Sequence, residues 1–491
     1  MIALSLAEIA TIVGGRLVDA DPATVVTGSV EYDSRLVAAG GLFLALPGER
    51  VDGHDFVATA FEQGAVAALV SRRVDGPHIQ VEDGVAALTA LAAAVVRRLP
   101  AVTVVGVTGS SGKTSTKDLL AHLLARLGPT VAPAGSMTNE LGLPYTVLRA
   151  DESTRFLVLE MGSRGVGHIR HLAAIAPPGI GVVLNVGSAH IGEFGSREAI
   201  AQAKGELVEA VGADGLAVLN ADDPLVRAMA ARTRARVVLA GEAPDADVRA
   251  DGVDLDELGR ASFTLHSSGR SASVALRLVG AHHVGNTLAA AAVALEAGMP
   301  LADVAAALGE AVPASRWRME VTERPDGVVV INDAYNANPE SMRAALKALA
   351  SVARSRRADG GRSFAVLGQM AELGADGPAE HDALGRLAVR LDISRVIAVG
   401  ELARPIQHGA ALEGSWNGES TWVPDVDAAV RMLRAELRPA DVVLVKASRA
   451  ASLERVALAI ADDNAMDPDR LGPSGTDSPG TDSPRAEGGT A

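Results

Sequence analysis

The chain has 491 residues, 48% of them hydrophobic and 21% charged, a composition typical of a globular protein. This length is too great for one ordinary core, so about three domains are expected. The net charge of −15 argues against a broad nucleic-acid-binding surface, which needs clustered Lys and Arg, and the absence of cysteine excludes disulfides, thiol catalysis and cysteine-based metal sites.

Neither the first residues nor any later segment is typical of a membrane-targeting sequence. The N-terminus, MIALSLAEIATIVGG, lacks a basic leader and carries Glu8 within its apolar run, so it makes a poor signal peptide. The longest uncharged and mostly apolar run, GVAALTALAAAVV, is too short to cross a bilayer and predicts a buried helix. We therefore expect a cytoplasmic protein that does not insert into membranes.

The fold class expected from the order of elements is α/β with three domains. Residues 1–98 predict a small α/β domain, in which FVATAFEQGAVAALV is a helix followed by a strand. Residues 99–315 predict a central domain with a strand at AVTVVGV and a helix over TSTKDLLAHLLARLG that stops at Gly128. Further strands at RFLVLEM, IGVVLNV and GLAVLN, with a helix at REAIAQAKGELVEAV, indicate a parallel sheet covered on both faces.

A second alternating series follows and predicts a Rossmann-like, open-sheet domain over residues 316–466. Its strands are GVVVIND, SFAVLGQ, RVIAVG and DVVLVKAS. Residues 467–491 contain GTDSP twice within a stretch of Gly, Ser, Pro and Asp. Such a segment cannot bury enough apolar surface to fold, so we expect a disordered tail.

The stretch GVTGSSGKTSTKD, Gly106 to Asp118, carries the strongest functional signal. A strand, a glycine-rich turn and a helix form the context in which backbone N–H groups meet a phosphate. Lys113 would reach the outer phosphate oxygens, and the Thr114 hydroxyl is suited to Mg²⁺. The alternative is a glycine-rich turn with an incidental lysine. We expect ATP to contact Gly109, Ser110, Ser111, Gly112, Lys113, Thr114 and Ser115.

Three further residues are candidates for the chemistry. Glu160 ends a predicted buried strand, where a parallel sheet presents residues to a ligand, although the acid could merely cap the strand. His190 follows another buried strand and could supply an imidazole to a metal. Lys204 lies in a predicted helix, where sequence alone favours a surface lysine. Periodicity does not decide the roles of His190 and Lys204.

The loop TGSSGKTS resembles the ATP site of the Mur ligases and the related folylpolyglutamate synthases. Other segments are similar to the same family over residues 1 to 460, in the same order: YDSR, GLFLALPGERVDGHDFV, SMTNELGLP, LEMGS, AHIGEFGS, AKGE, NADDP, NDAYNANPESM, GQMAELG and VKASR. Within the family, NDAYNANPESM resembles the signature of the members that add D-alanyl-D-alanine. The resemblance implies a UDP-sugar-peptide domain, an ATP domain and a dipeptide domain, in chain order.

The resemblance also implies roles for single residues. Glu160 and His190 would ligate Mg²⁺ with Thr114, and Lys204 would carry a carbamate. Asn286 would contact adenine, Arg318 the phosphates, and Asp333 and Asn336 the nucleotide. The substrate-binding residues implied are Asp33, Ser34 and Arg35 on the UDP-sugar side, and Thr138 and Asn139 in SMTNELGLP.

The activity implied is an ATP-dependent amide ligation through an acyl phosphate. Its cofactors would be ATP and Mg²⁺, and its partners UDP-N-acetylmuramoyl-tripeptide and D-alanyl-D-alanine, with no nucleic acid and a monomeric protein. Closure would use hinges near residues 98 and 315. The alternatives are a ligase that adds diaminopimelate or lysine, a folylpolyglutamate synthase and a nucleotide-binding regulator. The third residue of the accepted peptide stays open.

Overall fold

The computed structural model describes residues 1–48, 51–187, 191–414 and 419–462. Three large sheets follow one another along the chain, and each is associated with its own helices. We refer to residues 1–98 as the N-terminal unit, 99–315 as the central unit and 316–462 as the C-terminal unit. Across the described ranges, no helix is both long and apolar enough to span a membrane. The predicted tail, 467–491, lies outside these ranges.

The N-terminal unit is a small α/β unit, as predicted. A five-stranded sheet has the order β2-β7-β6-β5-β4, in which only β2 runs antiparallel to its neighbour, and β1 pairs with β3 separately. The predicted buried helix is α3, whose N-terminus is capped by the Asp83 side chain. The elements are β1 (Leu4–Ser5), α1 (Leu6–Val13), β2 (Arg16–Val18), β3 (Val25–Val26), β4 (Val30–Glu31), β5 (Gly41–Leu44), α2 (Val57–Glu62), β6 (Ala65–Val70), β7 (His78–Gln80) and α3 (Gly84–Arg97).

The central unit contains a nine-stranded sheet of order β16-β15-β14-β13-β12-β11-β8-β10-β9. The predicted strands pair in parallel, and the parallel part continues through β13 to β14, beyond which β15 and β16 extend one edge in antiparallel fashion. The elements are β8 (Thr103–Thr108), α4 (Lys113–Leu124), β9 (Thr130–Val131), α5 (Gly142–Val147), β10 (Phe156–Glu160), α6 (His168–Ile175), β11 (Ile180–Val183), α7 (Ile191–Phe194), α8 (Arg197–Ala210), β12 (Leu216–Asn220), α9 (Pro224–Arg227), β13 (Arg236–Gly241), β14 (Val248–Leu255), β15 (Arg260–Ser267), β16 (Arg270–Val279), α10 (His283–Glu296) and α11 (Leu301–Glu310).

Helix α4 ends at Leu124, so the predicted end at Gly128 is wrong by four residues. Residues 125–128 form turns in which their N–H groups still donate to carbonyls of the last helical residues. The side chain of Arg155 packs against Gly128, at 2.7 Å from the position that a Cβ would take there. The helix therefore passes into turns over its last residues before the predicted glycine, as helix ends commonly do.

The C-terminal unit has a six-stranded sheet of order β17-β18-β22-β19-β20-β21, parallel except for β17. All four predicted strands are present, and β17 and β21 are additional edge strands. The elements are β17 (Glu320–Glu323), β18 (Val329–Asn332), α12 (Pro339–Arg356), β19 (Ser363–Leu367), α13 (Gly377–Arg390), β20 (Arg395–Val399), α14 (Arg404–Glu413), β21 (Ser420–Val423), α15 (Val426–Glu436), β22 (Val442–Lys446) and α16 (Glu454–Ala461).

The hydrophobic cores divide the molecule differently from the sheets. One core is continuous across the N-terminal and central units and includes Leu88 and Leu91 of α3 together with Leu143 and Val147 of α5. The C-terminal sheet has a core on each face, and one of these cores also includes Val279 of β16 in the central unit. The first two units therefore form one packed body, on which the third is docked.

Candidate active site

The glycine-rich loop lies at the carboxyl edge of the central sheet, between β8 and α4. Gly112 has φ +82°, a left-handed conformation that side chains disfavour, and it begins the helix at Lys113. Asn185, which follows the neighbouring strand β11, holds the loop: its side-chain oxygen accepts from the Ser111 N–H at 2.9 Å, and its carbonyl accepts from the Ser110 N–H at 3.1 Å. Two hydrogen bonds to Asn185 therefore hold the loop against the sheet. Sequence analysis missed Asn185, although a polar residue at the end of a buried strand was the available signal.

Lys113 is folded back over the loop, where its Nζ donates to the Gly109 carbonyl at 2.6 Å. Burial lowers the pKa of this ammonium, while the nearby Glu160 acts in the opposite direction. A phosphate placed against the loop would offer Lys113 a stronger, charge-assisted partner than a carbonyl. The Lys113 ammonium group therefore lies where it could bind an anion placed against the loop.

Glu160 ends β10, which lies in parallel register beside β8, so its carboxylate meets the start of α4. One oxygen, Oε2, accepts from the hydroxyls of Thr114 and Ser136, both at 3.2 Å. The other, Oε1, is buried and has no hydrogen-bond partner among the described residues. Burial raises the pKa of this carboxyl group, against the effect of three nearby cations.

Magnesium is suited to this pair of side chains. It prefers carboxylate and hydroxyl oxygens, and here a buried carboxylate oxygen without a partner lies beside the Thr114 hydroxyl. Within residues 1–48, 51–187, 191–414 and 419–462, no three His, Asp or Glu side chains converge. His190, the third predicted ligand, lies outside the described residues. The donor set of Thr114 and Glu160 fits a magnesium ion that keeps water or phosphate oxygens as its remaining ligands.

Lys204 is buried in α8 and lines the same cleft as Lys113. The expectation of a surface lysine, drawn from the helical pattern, is wrong because α8 is buried on more than one face, including all residues from Ala203 to Val208. Burial, and secondarily the charge of Lys113, lowers the pKa of Lys204 to about 7. Its amine is therefore partly neutral near neutral pH.

The loop, Lys113 and Lys204 belong to a cleft of about 300 Å³ between the central and C-terminal units. The predicted residues Thr138 and Asn139 lie on its wall, as do Arg318 and Asn336. The Asn139 side chain also has a structural task, since its oxygen accepts from the Gly142 N–H at 2.9 Å near the start of α5. The structure thus brings residues from distant parts of the sequence to one cavity.

The C-terminal unit touches the loop directly. Arg318 donates from Nη2 to the Thr114 hydroxyl at 3.0 Å, and its guanidinium lies 4.3 Å from the centre of the Tyr335 ring. Asn338, a residue that sequence analysis did not single out, donates from Nδ2 to the Ser110 carbonyl at 3.1 Å. The NDAYNANPESM segment therefore faces the loop of the central unit.

Asp333 and Asn336 differ in their surroundings. Asp333 forms a buried ion pair with Lys446 at 2.6 Å and accepts from the Met319 N–H at 3.1 Å. Asn336 lines the cleft, and its carbonyl accepts from Lys446 at 2.8 Å. In this structure Asp333 supports the wall of the cleft through Lys446, whereas Asn336 forms part of that wall.

Asn286, predicted to contact adenine, lies in α10 against the loop. Its side chain packs on Gly112 so closely that a Cβ there would collide with it, and its Nδ2 has no hydrogen-bond partner in the part of the chain that is described.

Ser115 and His283 line a small, mainly apolar pocket of about 130 Å³ beside α4, closed by residues 311–315. Sequence analysis missed His283 and the 311–315 stretch.

Asp33, Ser34 and Arg35 lie away from this cleft, on the N-terminal unit. Asp33 caps the short helical turn that begins at Ser34, and its two carboxylate oxygens accept from the Arg35 guanidinium at 2.9 and 2.6 Å. Hydrogen bonds from Arg35 lower the pKa of Asp33 to about 2. Arg35 is largely exposed, so its charge is available to a ligand.

Comparison with known proteins places these features in a family. The sequence matches the models of the Mur ligase family catalytic domain over residues 27–107, the Mur ligase middle domain over 107–294 and the Mur ligase glutamate ligase domain over 317–449. It is 55% identical, over 94% of its length and 99% of the relative's, to a Mycobacterium tuberculosis protein named UDP-N-acetylmuramoyl-tripeptide–D-alanyl-D-alanine ligase. The chain belongs to the Mur ligase family.

Other Mur ligases support the same assignment. The Escherichia coli K12 protein of the same name is 34% identical, over 94% of this chain and 99% of its own. A crystal structure of MurF from Acinetobacter baumannii superposes with a TM-score of 0.81 at 31% identity, covering 94% and 99% of the two chains. The Thermotoga maritima MurF ligase in complex with ADP gives 0.76 at 31% identity, over 90% and 98%. The α/β fold with three domains is that of the Mur ligases.

Proposed function

We propose that this Mur ligase joins D-alanyl-D-alanine to UDP-N-acetylmuramoyl-tripeptide with cleavage of ATP to ADP and phosphate, giving the UDP-muramoyl-pentapeptide precursor of peptidoglycan. The observation that carries the proposal is the cleft in which the phosphate loop and Lys113 face Arg318 and Asn336 of another unit. Such a cleft suits a phosphoryl transfer that must be shielded from water. The names of the Mycobacterium tuberculosis and Escherichia coli relatives support the two substrates.

The chemistry follows from the poor reactivity of a carboxylate as an acyl donor. An oxygen of the tripeptide's terminal carboxylate attacks the γ-phosphorus of ATP, and the bond to the bridging oxygen of ADP breaks. The amine of the dipeptide then attacks the carbonyl carbon of the acyl phosphate. The tetrahedral intermediate collapses with loss of phosphate, and the surplus protons of the amine pass to solvent.

The residues of the cleft would assist the first step by position and charge. Lys113 would leave the Gly109 carbonyl and bind the outer phosphate oxygens, joined by Arg318 from the C-terminal unit. The N–H groups of the loop would face the phosphates as fixed partial charges. Glu160 and Thr114, with His190 as the further predicted ligand, would hold Mg²⁺, which when bound offsets phosphate charge.

We further propose that Lys204 acts as a carbamate. A neutral amine is needed to attack CO₂, and the lowered pKa of Lys204, about 7, supplies one at neutral pH. The nitrogen–carbon bond forms, one proton leaves, and a cation becomes an anion suited to Mg²⁺. The alternative is an ammonium that contacts a phosphate or the substrate carboxylate directly.

The three units would divide the substrates among them. Residues 1–98 would hold the UDP-sugar peptide through Asp33, Ser34 and Arg35, residues 99–315 would bind ATP, and residues 316–466 would bind the dipeptide. Asn286 would contact adenine, Asp333 and Asn336 the nucleotide, and Thr138 and Asn139 the substrate. We expect the protein to act as a monomer.

A matrix of substrate pairs tests the function. Phosphate release and product mass are measured with ATP, a UDP-muramoyl tripeptide ending in diaminopimelate or lysine, and D-alanyl-D-alanine, D-alanine, diaminopimelate or glutamate. We expect release, and a product heavier by the dipeptide, only when both a tripeptide and D-alanyl-D-alanine are present. Turnover with diaminopimelate or glutamate as the amine would instead indicate another ligase. ATP binding without release in any combination would indicate a nucleotide-binding regulator.

A further inference from the structure

A short segment of the C-terminal unit, Gly368 to Gly374, reaches the cleft and has no role in the steps described so far. It connects β19 to α13 and corresponds to the GQMAELG motif. Gly374 lies against the backbone of Gly192 in the central unit, since a Cβ at Gly192 would come within 2.8 Å of the Gly374 nitrogen. The segment therefore spans the boundary between the two units that enclose the cleft.

The backbone of this segment is fixed at successive residues. The Gly368 N–H donates to the Lys446 carbonyl at 2.9 Å, and the Gln369 carbonyl accepts from the Ser448 N–H at 2.9 Å. The Ala371 N–H donates to the Ser448 hydroxyl oxygen at 2.9 Å. The strand β22 and its continuation thus hold the segment along its length.

A buried histidine holds the same segment from the other side. His381 of α13 accepts from the Met370 N–H at its Nε2, at 2.8 Å, and its Nδ1 lies 2.7 Å from the Gly377 carbonyl. Nδ1 must carry the proton in order to donate to that carbonyl, so the ring is the neutral tautomer that leaves Nε2 free to accept. Burial lowers the pKa of His381, which favours this neutral form.

These contacts end at Glu372, which has a left-handed backbone with φ +63° and lines the cleft. A left-handed conformation is unfavourable for a residue with a side chain, and it persists where surrounding contacts determine it. Such strain is concentrated at functional sites, where it holds a group in one orientation. The contacts made by Gly368 to Ala371 therefore serve to present Glu372 to the cavity.

The charges around the cavity give Glu372 a chemical role. Arg164, Arg318 and Lys113 line it with basic groups, and Glu140 is an acidic residue on the side of the central unit, whereas Glu372 is the single acidic residue that the described part of the C-terminal unit contributes to its lining. A dipeptide acceptor arrives as a zwitterion, because its amino group is largely protonated at neutral pH. Its ammonium would be repelled by the basic groups and attracted to Glu372.

We propose that Glu372 binds the ammonium group of the incoming D-alanyl-D-alanine and thereby orients its nitrogen towards the acyl phosphate. This inference rests on the proposed function, because it takes the dipeptide as the acceptor. Glu372 acts here as a binding residue that distinguishes an amine-bearing acceptor from one that lacks the amine. The proton is lost to solvent before the nitrogen attacks.

Steady-state kinetics of Glu372→Gln, which keeps the shape of the side chain and removes its charge, test the proposal. We expect the KM for D-alanyl-D-alanine to rise between about tenfold and a hundredfold, the range that loss of a charged hydrogen bond gives. The KM values for ATP and for the UDP-muramoyl tripeptide should change less than about twofold. Asp376→Asn is the matched control, because Asp376 is an exposed acid of the same connection whose side chain makes no capping hydrogen bond.

An inhibitor separates recognition of the ammonium from loss of the pocket. N-propionyl-D-alanine has the skeleton of the dipeptide without its amino group, so Glu372→Gln should leave its inhibition constant unchanged. An unchanged KM for the dipeptide in Glu372→Gln, or an equal rise in that KM and in the inhibition constant, would overturn the role of Glu372 while leaving the proposed function intact. If the wild-type protein does not use the dipeptide, both proposals fall.

Discussion

The two junctions between the units differ in the kind of contact that holds the units together. Between the N-terminal and central units, α3 packs on α5 and α6, and Leu91 and Leu143 belong to one continuous apolar core. Between the central and C-terminal units, the contacts at the cleft are polar, Arg318 with Thr114 and Asn338 with Ser110, and elsewhere Val279 of the central unit packs in a core of the C-terminal unit. The first junction is a large shared apolar core, whereas the second combines exchangeable hydrogen bonds at the cleft with the apolar contact of Val279.

This difference indicates where the molecule moves. Separating an apolar core exposes its whole surface to water, while hydrogen bonds at a cleft can be exchanged for bonds to phosphate or water. The expectation of two hinges, near residues 98 and 315, does not fit the shared core at the first. We infer that closure uses the second junction, near Ser315, whose hydroxyl lies 3.4 Å from Lys117 within the central unit.

The largest expected effect belongs to the cleft of the second junction. Lys113→Ala should lower kcat by roughly a thousandfold, because the charge over the γ-phosphate is lost while the loop backbone remains. The melting temperature should stay close to that of the wild-type protein. Lys347→Ala, which removes an exposed lysine of α12, is the control. Near-normal turnover of Lys113→Ala at saturating ATP and magnesium would remove the loop from the mechanism.

A substitution in the core of the first junction should lower the stability of the protein. Leu91→Ala empties a fully buried site of the shared core and should lower the free energy of unfolding by about 3 kcal/mol. Leu346→Ala makes an equivalent change in a core that belongs mainly to the C-terminal unit. Calorimetry should show the N-terminal and central units unfolding together in Leu91→Ala. A separate, earlier transition of the N-terminal unit would contradict the idea of one packed body.

Lys204→Ala tests the proposed carbamate in the cleft. We expect a loss of about a hundredfold in kcat, about 2.7 kcal/mol, because the proposed carbamate is removed. Acetate or formate, which can occupy the vacated space, should restore part of the activity. Alkylamines that restore activity where carboxylates do not would show instead that Lys204 works as a cation.

Tyr145→Phe probes a buried polar contact of the first junction. The Tyr145 hydroxyl donates to the buried Glu31 carboxylate at 2.5 Å, and burial together with Glu31 raises the Tyr145 pKa well above its usual value, so the hydroxyl keeps its proton. Removing it leaves a buried acceptor without its donor and should cost about 2 kcal/mol of stability. Urea unfolding measures this cost, and kcat should remain near the wild-type value. A large fall in kcat at unchanged stability would show that this junction also moves during turnover.

The smallest effect is expected for the contact between Asn338 and the loop. Asn338→Asp keeps the side-chain oxygen that caps α12 by accepting from the Ser341 N–H, but it loses the donor to the Ser110 carbonyl. We expect about a tenfold lower kcat/KM for ATP, about 1.4 kcal/mol, with an unchanged melting temperature. Asn338→Ser also keeps a cap and introduces no charge, so it should show a milder loss. Equal activity in all three proteins would mean that Asn338 only caps its helix.

Local sequence was sufficient for the features that are made locally. The strand before Gly109, the turn and the helix from Lys113 are all consecutive residues, so their pattern predicted the phosphate loop. The position of Glu160 was also predicted, because parallel strands present their carboxyl ends at one edge of a sheet. The apolar run of α3 was recognised as buried, although nothing in it showed that its partner is another unit.

The tertiary structure decided what depends on partners far along the chain. Lys204 is buried because α8 packs against the sheet and α6 at once, so a rule that assigns charged residues to a solvent face does not hold there. Glu372 reaches the cleft because Ser448 and His381, distant in sequence, fix the backbone before it. The sequence determined the chemical groups and the helices and strands that carry them. Long-range packing determined which of these groups share a cavity, because the hydrogen bonds and contacts that position the groups join residues that no local pattern relates.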